Sequence, residues 1–288
     1  MRAGPIAAVF LLGVVSLGAG RPPHSTMPTG RVHRDCPWRV VSARPAAPRD
    51  VPFDEDVPML GEPENANDAP GPGTLRAVVR NDKERHSHVY IEDTAAHSSR
   101  LLLGPSASRP KWSPDGRWIA CDIYGSPQTY NLGLVEMASG RLWRPELGGQ
   151  LEEYKWSPDS RGLALELADP RGGFTVLGYF SLAAKSFQPV DTLKLSASYD
   201  VAWSPDSRTL AVSKPTYTDR DNEDEVTQSD LWLMSLPRAR CRLVEGKGFL
   251  AAAPRWIDSA HVRYVRDVWK IDASGTSDSV VVEIAPRR

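Results

Sequence analysis

What this chain is short of narrows its possible roles before any pattern is sought. It has three cysteines among 288 residues, too few for a disulfide-dense scaffold, and no Cys-x-x-Cys pair. Lys and Arg number 35 against 36 Asp and Glu, so the formal charge is −1 and no broad basic field exists to hold phosphates along a polymer. Nucleic acid is therefore not an expected partner. No Gly-rich phosphate loop, His-Glu-x-x-His helix or Gly-x-Ser-x-Gly elbow occurs. The nearest approach to the elbow, Gly104-Pro105-Ser106-Ala107-Ser108, lacks the closing glycine. Long apolar runs are missing too, apart from Ile6 to Leu17, which falls short of the ~20 residues a spanning helix needs.

That run follows Met1-Arg2-Ala3-Gly4-Pro5 and precedes Gly18-Ala19-Gly20, the pattern of a secretory signal over residues 1–20, with an uncleaved anchor as the alternative. No cysteine adjoins the expected cleavage point. A periplasmic or secreted protein with no membrane span after signal removal is expected. Residues 21–73 turn to Pro, Ala, Asp and Glu and predict a disordered linker. Within it, Trp38-Arg39-Val40-Val41 has strand character and is a candidate closing strand for the end of the chain. In an exported protein Cys36 and Cys241 could pair or stay free, and spacing does not choose. Cys121 reads as a small buried hydrophobe.

What the chain does have is a repeat. Lys111-Trp112-Ser113-Pro114-Asp115-Gly116 returns as Lys155-Trp156-Ser157-Pro158-Asp159-Ser160 and as Ala202-Trp203-Ser204-Pro205-Asp206-Ser207, with a degraded copy at Arg255-Trp256-Ile257-Asp258-Ser259. The tryptophans lie 44, 47 and 53 residues apart. Ser-Pro-Asp followed by Gly has turn chemistry, so each copy reads as a hairpin corner. Seven and nine residues beyond each intact tryptophan stand Ile119 and Cys121, Leu163 and Leu165, Leu210 and Val212, with Ala120, Ala164 and Ala211 between them. A large residue on one face and a small one on the other suits a strand packed between neighbouring sheets.

Further strand signals follow at Val89-Tyr90-Ile91, Leu132 to Val135, Val176 to Phe180, Leu231-Trp232-Leu233 and Val268-Trp269-Lys270-Ile271. Five units are counted, the first diverged. The domain is placed at residues 74–288. Identical tryptophans at equivalent positions serve the packing every unit needs, so Trp112, Trp156, Trp203 and Trp256, with Pro114, Asp115, Pro158, Asp159, Pro205 and Asp206, are taken as structural repeat residues.

The corners, with Arg117-Trp118-Ile119-Ala120, Arg161-Gly162-Leu163-Ala164 and Arg208-Thr209-Leu210-Ala211 after them, resemble the TolB-like, WD-repeat-like β-propeller repeat. The resemblance covers residues 74–288 and implies an all-β propeller of four-stranded antiparallel blades, commonly six, around a central channel. Five or six blades are expected here, with an incomplete ring as a third possibility. Ser160 and Ser207 replace the corner glycine; a serine at positive φ costs about 1 kcal/mol, which predicts a different turn there.

The search for chemistry turns up little. His86-Ser87-His88 with nearby His97 could place two imidazoles on one side of a strand, but a solvated strand start is the plainer reading. Asp219, Asp221, Glu223, Asp224 and Glu225 alternate oxygen ligands loosely as a calcium loop does, without its sixth-place glycine. This acidic insertion is the candidate binding loop. Histidines and carboxylates are present in the units but do not recur in register. No cofactor, metal or catalytic residue is assigned. The expected function is that of a non-enzymatic exported scaffold binding another envelope or secreted protein, or an envelope polymer, through one rim or the channel mouth. The alternative is a polysaccharide lyase or hydrolase using channel-facing His and acidic residues.

Overall fold

Each repeated corner joins two antiparallel strands, and the chain builds outward from it by hairpins. The computed structural model describes residues 36, 38–47, 68–125, 129–169, 173–193, 199–218, 226–236, 239–268 and 276–286. Among the described residues all regular structure is strand. In chain order, β1 (Trp38–Pro45) comes first. The first blade is β2 (Asp68–Pro70), β3 (Leu75–Asn81), β4 (Ser87–Asp93) and β5 (Ser98–Leu103), and the second is β6 (Ala107–Trp112), β7 (Trp118–Gly125), β8 (Thr129–Glu136) and β9 (Leu142–Trp143). The third is β10 (Gln150–Trp156), β11 (Gly162–Ala168), β12 (Thr175–Ser181) and β13 (Ser186–Leu193). The fourth is β14 (Asp200–Trp203), β15 (Thr209–Thr218), β16 (Val226–Ser235) and β17 (Ala239–Val244). The last blade is β18 (Leu250–Trp256), β19 (His261–Val268) and β20 (Thr276–Pro286), completed by β1.

The last blade closes with an N-terminal strand. β1 pairs antiparallel with β20 from Trp38↔Pro286 to Pro45↔Val280, as the strand character of Trp38 to Val41 suggested. Strands β1 and β2 thus lie inside the stretch that composition marks as linker, and the first blade begins at Asp68 rather than Thr74. Composition missed them because an outer strand needs only one partner and little burial; five of the eight β1 residues are exposed. A disulfide between Cys36 and Cys241, with Cα atoms 5.0 Å apart, ties this strand to β17 across a sequence separation of 205. The fifth unit also differs in register. Val268 ends its second strand, residues 269–275 lie outside the described residues, and the third strand is β20.

Four apolar clusters occupy the four boundaries between successive blades. The residues after each corner explain this. Ile119, Leu163 and Leu210 face the preceding blade, whereas Ala120, Ala164 and Ala211 receive the following one. Cys121 is fully buried, as its alignment predicts. Burying a Leu or Ile side chain contributes about 1.5–3 kcal/mol each, so the repeated pair supplies much of each boundary.

Each tryptophan also reaches backwards. The indole N–H of Trp112 donates to Ala69 O at 3.2 Å, that of Trp156 to Lys111 O at 2.9 Å, that of Trp203 to Lys155 O at 3.1 Å and that of Trp256 to Ala202 O at 3.2 Å. Every one is a bond from one blade's inner strand to its predecessor's. The degraded fourth copy keeps this function because it keeps the tryptophan.

The corner serines correct an expectation. Ser160 and Ser207 both have φ 60°, beside 70° for Gly116, so all three corners form the same left-handed turn. The hydroxyls offset the strain by accepting, each at 3.0 Å, the N–H of the preceding corner's aspartate: Asp115 N–H to Ser160 and Asp159 N–H to Ser207. Glycine is needed at the first corner for another reason, since a Cβ on Gly116 would stand 2.7 Å from Pro72. Within each corner Ser113, Ser157 and Ser204 donate to Asp115, Asp159 and Asp206 at 2.6–2.7 Å.

Candidate functional site at the inner strands

The inner strands are irregular at matching places. Pairing slips between Ser108 and Lys111 in β6, between Leu151 and Glu153 in β10 and between Ala252 and Arg255 in β18. Bulges re-aim side chains, and those in β6 and β10 bring opposite charges to the boundary between the second and third blades. Arg109 sits in one with φ 45°, a conformation non-glycine residues seldom hold without compensation.

The compensation is a set of bonds across the second and third blades. Arg109 Nε donates to Asp122 Oδ2 at 2.5 Å, Nη2 to Glu152 O at 2.8 Å and Nη1 to Glu153 Oε2 at 3.3 Å. Lys111 Nζ donates to Glu153 Oε1 at 2.7 Å, and the Tyr154 hydroxyl donates to Arg109 O. Asp122 is 2% exposed, and burial pushes its carboxyl up to about 6 despite the Arg109 charge beside it. Its second oxygen, Oδ1, is buried with no hydrogen-bond partner. Burial also works to raise Glu153, but the charge and hydrogen bond of Lys111 outweigh it and leave that carboxyl below its usual range.

A second polar group spans the third and fourth blades. Asp191, 5% exposed, takes Lys214 Nζ at 2.6 Å, Arg240 Nη1 at 2.8 Å and the Tyr199 hydroxyl at 3.1 Å. Burial, with Asp191 next in effect, raises the Tyr199 phenol far above its ordinary range. Both oxygens of Glu166 accept the Tyr199 N–H at 3.3 Å. Beside these groups lies a cavity of about 40 Å³ lined by Glu153, Lys155, Glu166, Leu177, Tyr199 and Val201. It has room for a water molecule or a small ion, not for a substrate of the size that ordinary ligand pockets hold.

Two carboxylates do hold one register position. Asp122 and Glu166 stand ten residues beyond Trp112 and Trp156, and Ser213 stands ten beyond Trp203; all three are buried. The expectation that acidic residues never recur in register is corrected on this point. The signal was present as a polar residue in an otherwise apolar second strand, and it was masked by the alternation of large and small residues before it. Nothing local revealed that Arg109, Glu153 and Asp191 would meet these positions, because their partners come from other strands.

The other sequence candidates are placed as follows. The acidic loop Asp219, Asp221, Glu223, Asp224 and Glu225 lies outside the described residues, as does the signal-like segment. His88 Nε2 stands 3.0 Å from Asp82 Oδ2, and His86 Nδ1 lies 3.5 Å from the same oxygen. Chiefly through the His88 hydrogen bond, Asp82 is lowered to about 2. Among the described residues no three His, Cys, Asp or Glu side chains are arranged to hold a metal, and no helix is long and apolar enough to cross a membrane.

No family model and no curated protein matches the sequence. Solved structures do match. The β-propeller domain of the Trilobed protease from Pyrococcus furiosus aligns with a TM-score of 0.56 at 14% identity, over 75% of this chain and 68% of that one. An acylaminoacyl peptidase from Pyrococcus horikoshii aligns at 0.56 and 16% identity, over 75% of this chain but 38% of its own length. TolB from Acinetobacter baumannii aligns at 0.47 and 13% identity, over 75% of this chain and 53% of its own. At these identities a likeness speaks of architecture alone. With the blade topology above, the first two fix the fold of this chain as a β-propeller.

Proposed function

We propose that this protein is an exported, non-enzymatic propeller, periplasmic or secreted, that binds another envelope or secreted protein through the rim where second and third strands meet. One observation carries the reading. Tyr124, Tyr130 and Phe174, 44%, 38% and 42% exposed, stand at the β7–β8 and β11–β12 hairpins of neighbouring blades, on the rim opposite the tryptophan corners. Tyr124 and Tyr130 meet edge to face with ring centroids 5.5 Å apart. Exposed aromatics on one rim suit a protein contact better than a solvated surface.

Two further features support it. The buried charges at the inner strands are spent on holding blades together, which favours a scaffold over a catalyst. The Cys36–Cys241 disulfide is a bond suited to oxidising compartments. Cross-linking in envelope extract tests the proposal: the triple change Tyr124→Ser, Tyr130→Ser, Phe174→Ser is expected to lose a specific cross-linked partner with little change in Tm. Retention of that partner by the triple variant, or its absence with the native chain, overturns the reading.

A further inference from the structure

Two buried carboxylates at blade boundaries are held in different ways. Asp191 has both oxygens engaged, Oδ1 by Arg240 at 2.8 Å and Oδ2 by Lys214 at 2.6 Å and the Tyr199 hydroxyl at 3.1 Å. Asp122 is 2% exposed, yet only its Oδ2 is engaged, by Arg109 Nε at 2.5 Å, while Oδ1 is buried without a hydrogen-bond partner. A buried oxygen that carries charge and makes no hydrogen bond is costly, and a proton on the carboxyl removes that charge. Of the two, Asp122 is the one placed to take up a proton.

Each strand packed around Asp122 contributes to its field. From β6 come Arg109 and Lys111, from β10 Glu152, Glu153 and Tyr154, and β8 places the apolar Leu132 opposite it. Burial outweighs Arg109 and raises the Asp122 carboxyl to about 6. Burial also raises Glu152, against the pull of Arg109. It works upward on Glu153 too, but Lys111 outweighs it there, and it lifts the Tyr154 phenol well above its ordinary range. Near neutral pH, Glu153 therefore stays charged and Tyr154 neutral while Asp122 titrates.

What the proton changes is the hold on Arg109. This residue keeps φ 45° inside the β6 bulge, a strained backbone secured by its side-chain bonds. A hydrogen bond between ions is about twice as strong as one between neutral groups, so a neutral Asp122 grips Nε less and the bulge is free to relax. Three residues before Arg109, Ser106 O accepts the Tyr124 N–H at 2.8 Å. Tyr124 in turn follows Asp122 by two positions, on the same face of β7. Bulge and carboxyl therefore both adjoin the exposed aromatics of the second blade, and Phe174 stands on the blade across the boundary.

We propose that Asp122 is a proton-operated latch on the aromatic rim: charged, it fixes the β6 bulge and the Tyr124 end of β7 for binding, and neutral, it lets both loosen and weakens the contact. The latch rests on the rim being the contact surface and adds its regulation by pH. One proton passes from solvent to the carboxyl, and no other group need change its charge. The charged state is ordered but costly and the neutral state relaxed, so a partner that selects the charged state drives the proton off.

Hydrogen exchange in the full chain without a partner, corrected for the intrinsic pH dependence, tests the latch apart from the rim. Protection of β6 and β7 amides, Tyr124 included, is expected to fall about tenfold from pH 7 to pH 5, with its midpoint near the Asp122 value of about 6. Asp122→Asn removes the transition and shows the lower protection throughout, whereas Glu152→Gln keeps it. Unchanged protection in the native chain, a transition that survives in Asp122→Asn, or one that disappears in Glu152→Gln overturns the latch. Should Asp122→Asn fail to fold, carbon NMR of the Asp122 carboxyl in the native chain carries the test, and a midpoint below pH 5 overturns the proposal. Cross-linking of the rim's partner in envelope extract is expected to fall about fivefold from pH 7 to pH 5 with the native chain and to stay at the lower level with Asp122→Asn. Equal capture at both pH values overturns the latch and leaves the rim as the contact surface. The exchange transition without any captured partner overturns the rim reading instead.

Discussion

The boundary between the second and third blades and the outward face of the last blade both carry an arginine on the inner pair of strands, and they treat it in opposite ways. Arg109 bonds Asp122 of its own blade and reaches across to Glu153 and the Glu152 carbonyl of the next, so its charge is answered on both sides of the boundary. Arg263 has Arg255 opposite it and no acid among the described residues. The difference teaches that the same type of side chain acts as a clasp where a following blade supplies carboxylates, and stands only beside a like charge where no described blade follows.

The largest expected effect comes from breaking the clasp. Arg109→Met leaves Asp122 buried without its counter-charge, and a loss of about 3–5 kcal/mol in urea unfolding is expected. The parallel Arg263→Met, which removes no described ion pair, should cost much less. Equal losses from the two changes would erase the contrast drawn here.

A middle-sized effect sharpens the comparison through pH. The Asp122 carboxyl rises from the unfolded value near 3.8 to about 6 on folding, so between those limits the native state holds a proton that the unfolded chain has released. Stability from this group is therefore fully present below about pH 4, falls as pH climbs to about 6 and is flat beyond. Asp122→Asn should abolish that decline. Urea midpoints for both proteins across pH 4 to 7 check it, and parallel curves would show that Asp122 does not titrate there.

The smallest effect lies at the corners. Ser160→Ala keeps the left-handed strain and loses the hydrogen bond to the Asp115 N–H, a loss of about 1 kcal/mol. Ser160→Gly relieves the strain while losing the same bond, so its melting temperature should lie close to the native one. A larger loss for glycine than for alanine would mean that the hydroxyl is not what holds the turn.

Much of this molecule was legible because repetition makes a sequence its own comparison. Trp112, Trp156 and Trp203 located the hairpins, and the alternation of Leu163-Ala164-Leu165 gave the faces of the second strand. The strand character of Trp38 to Val41 was legible too. Its place beside β20 and the Cys36–Cys241 bond were not, since both join positions more than 200 residues apart. The site was harder still. Arg109 and Asp122 belong to one hairpin, but Glu153 joins them only when the third blade stacks on the second, and no local spacing encodes that.

By itself the sequence determined the unit: a tryptophan corner, a small-faced second strand and a period that repeats, all set by turn chemistry and by interactions between near neighbours along the chain. Tertiary structure alone decided which charges are answered. Those pairings depend on side chains brought together by the stacking of one blade on the next, and on the last blade having no described successor to answer Arg263.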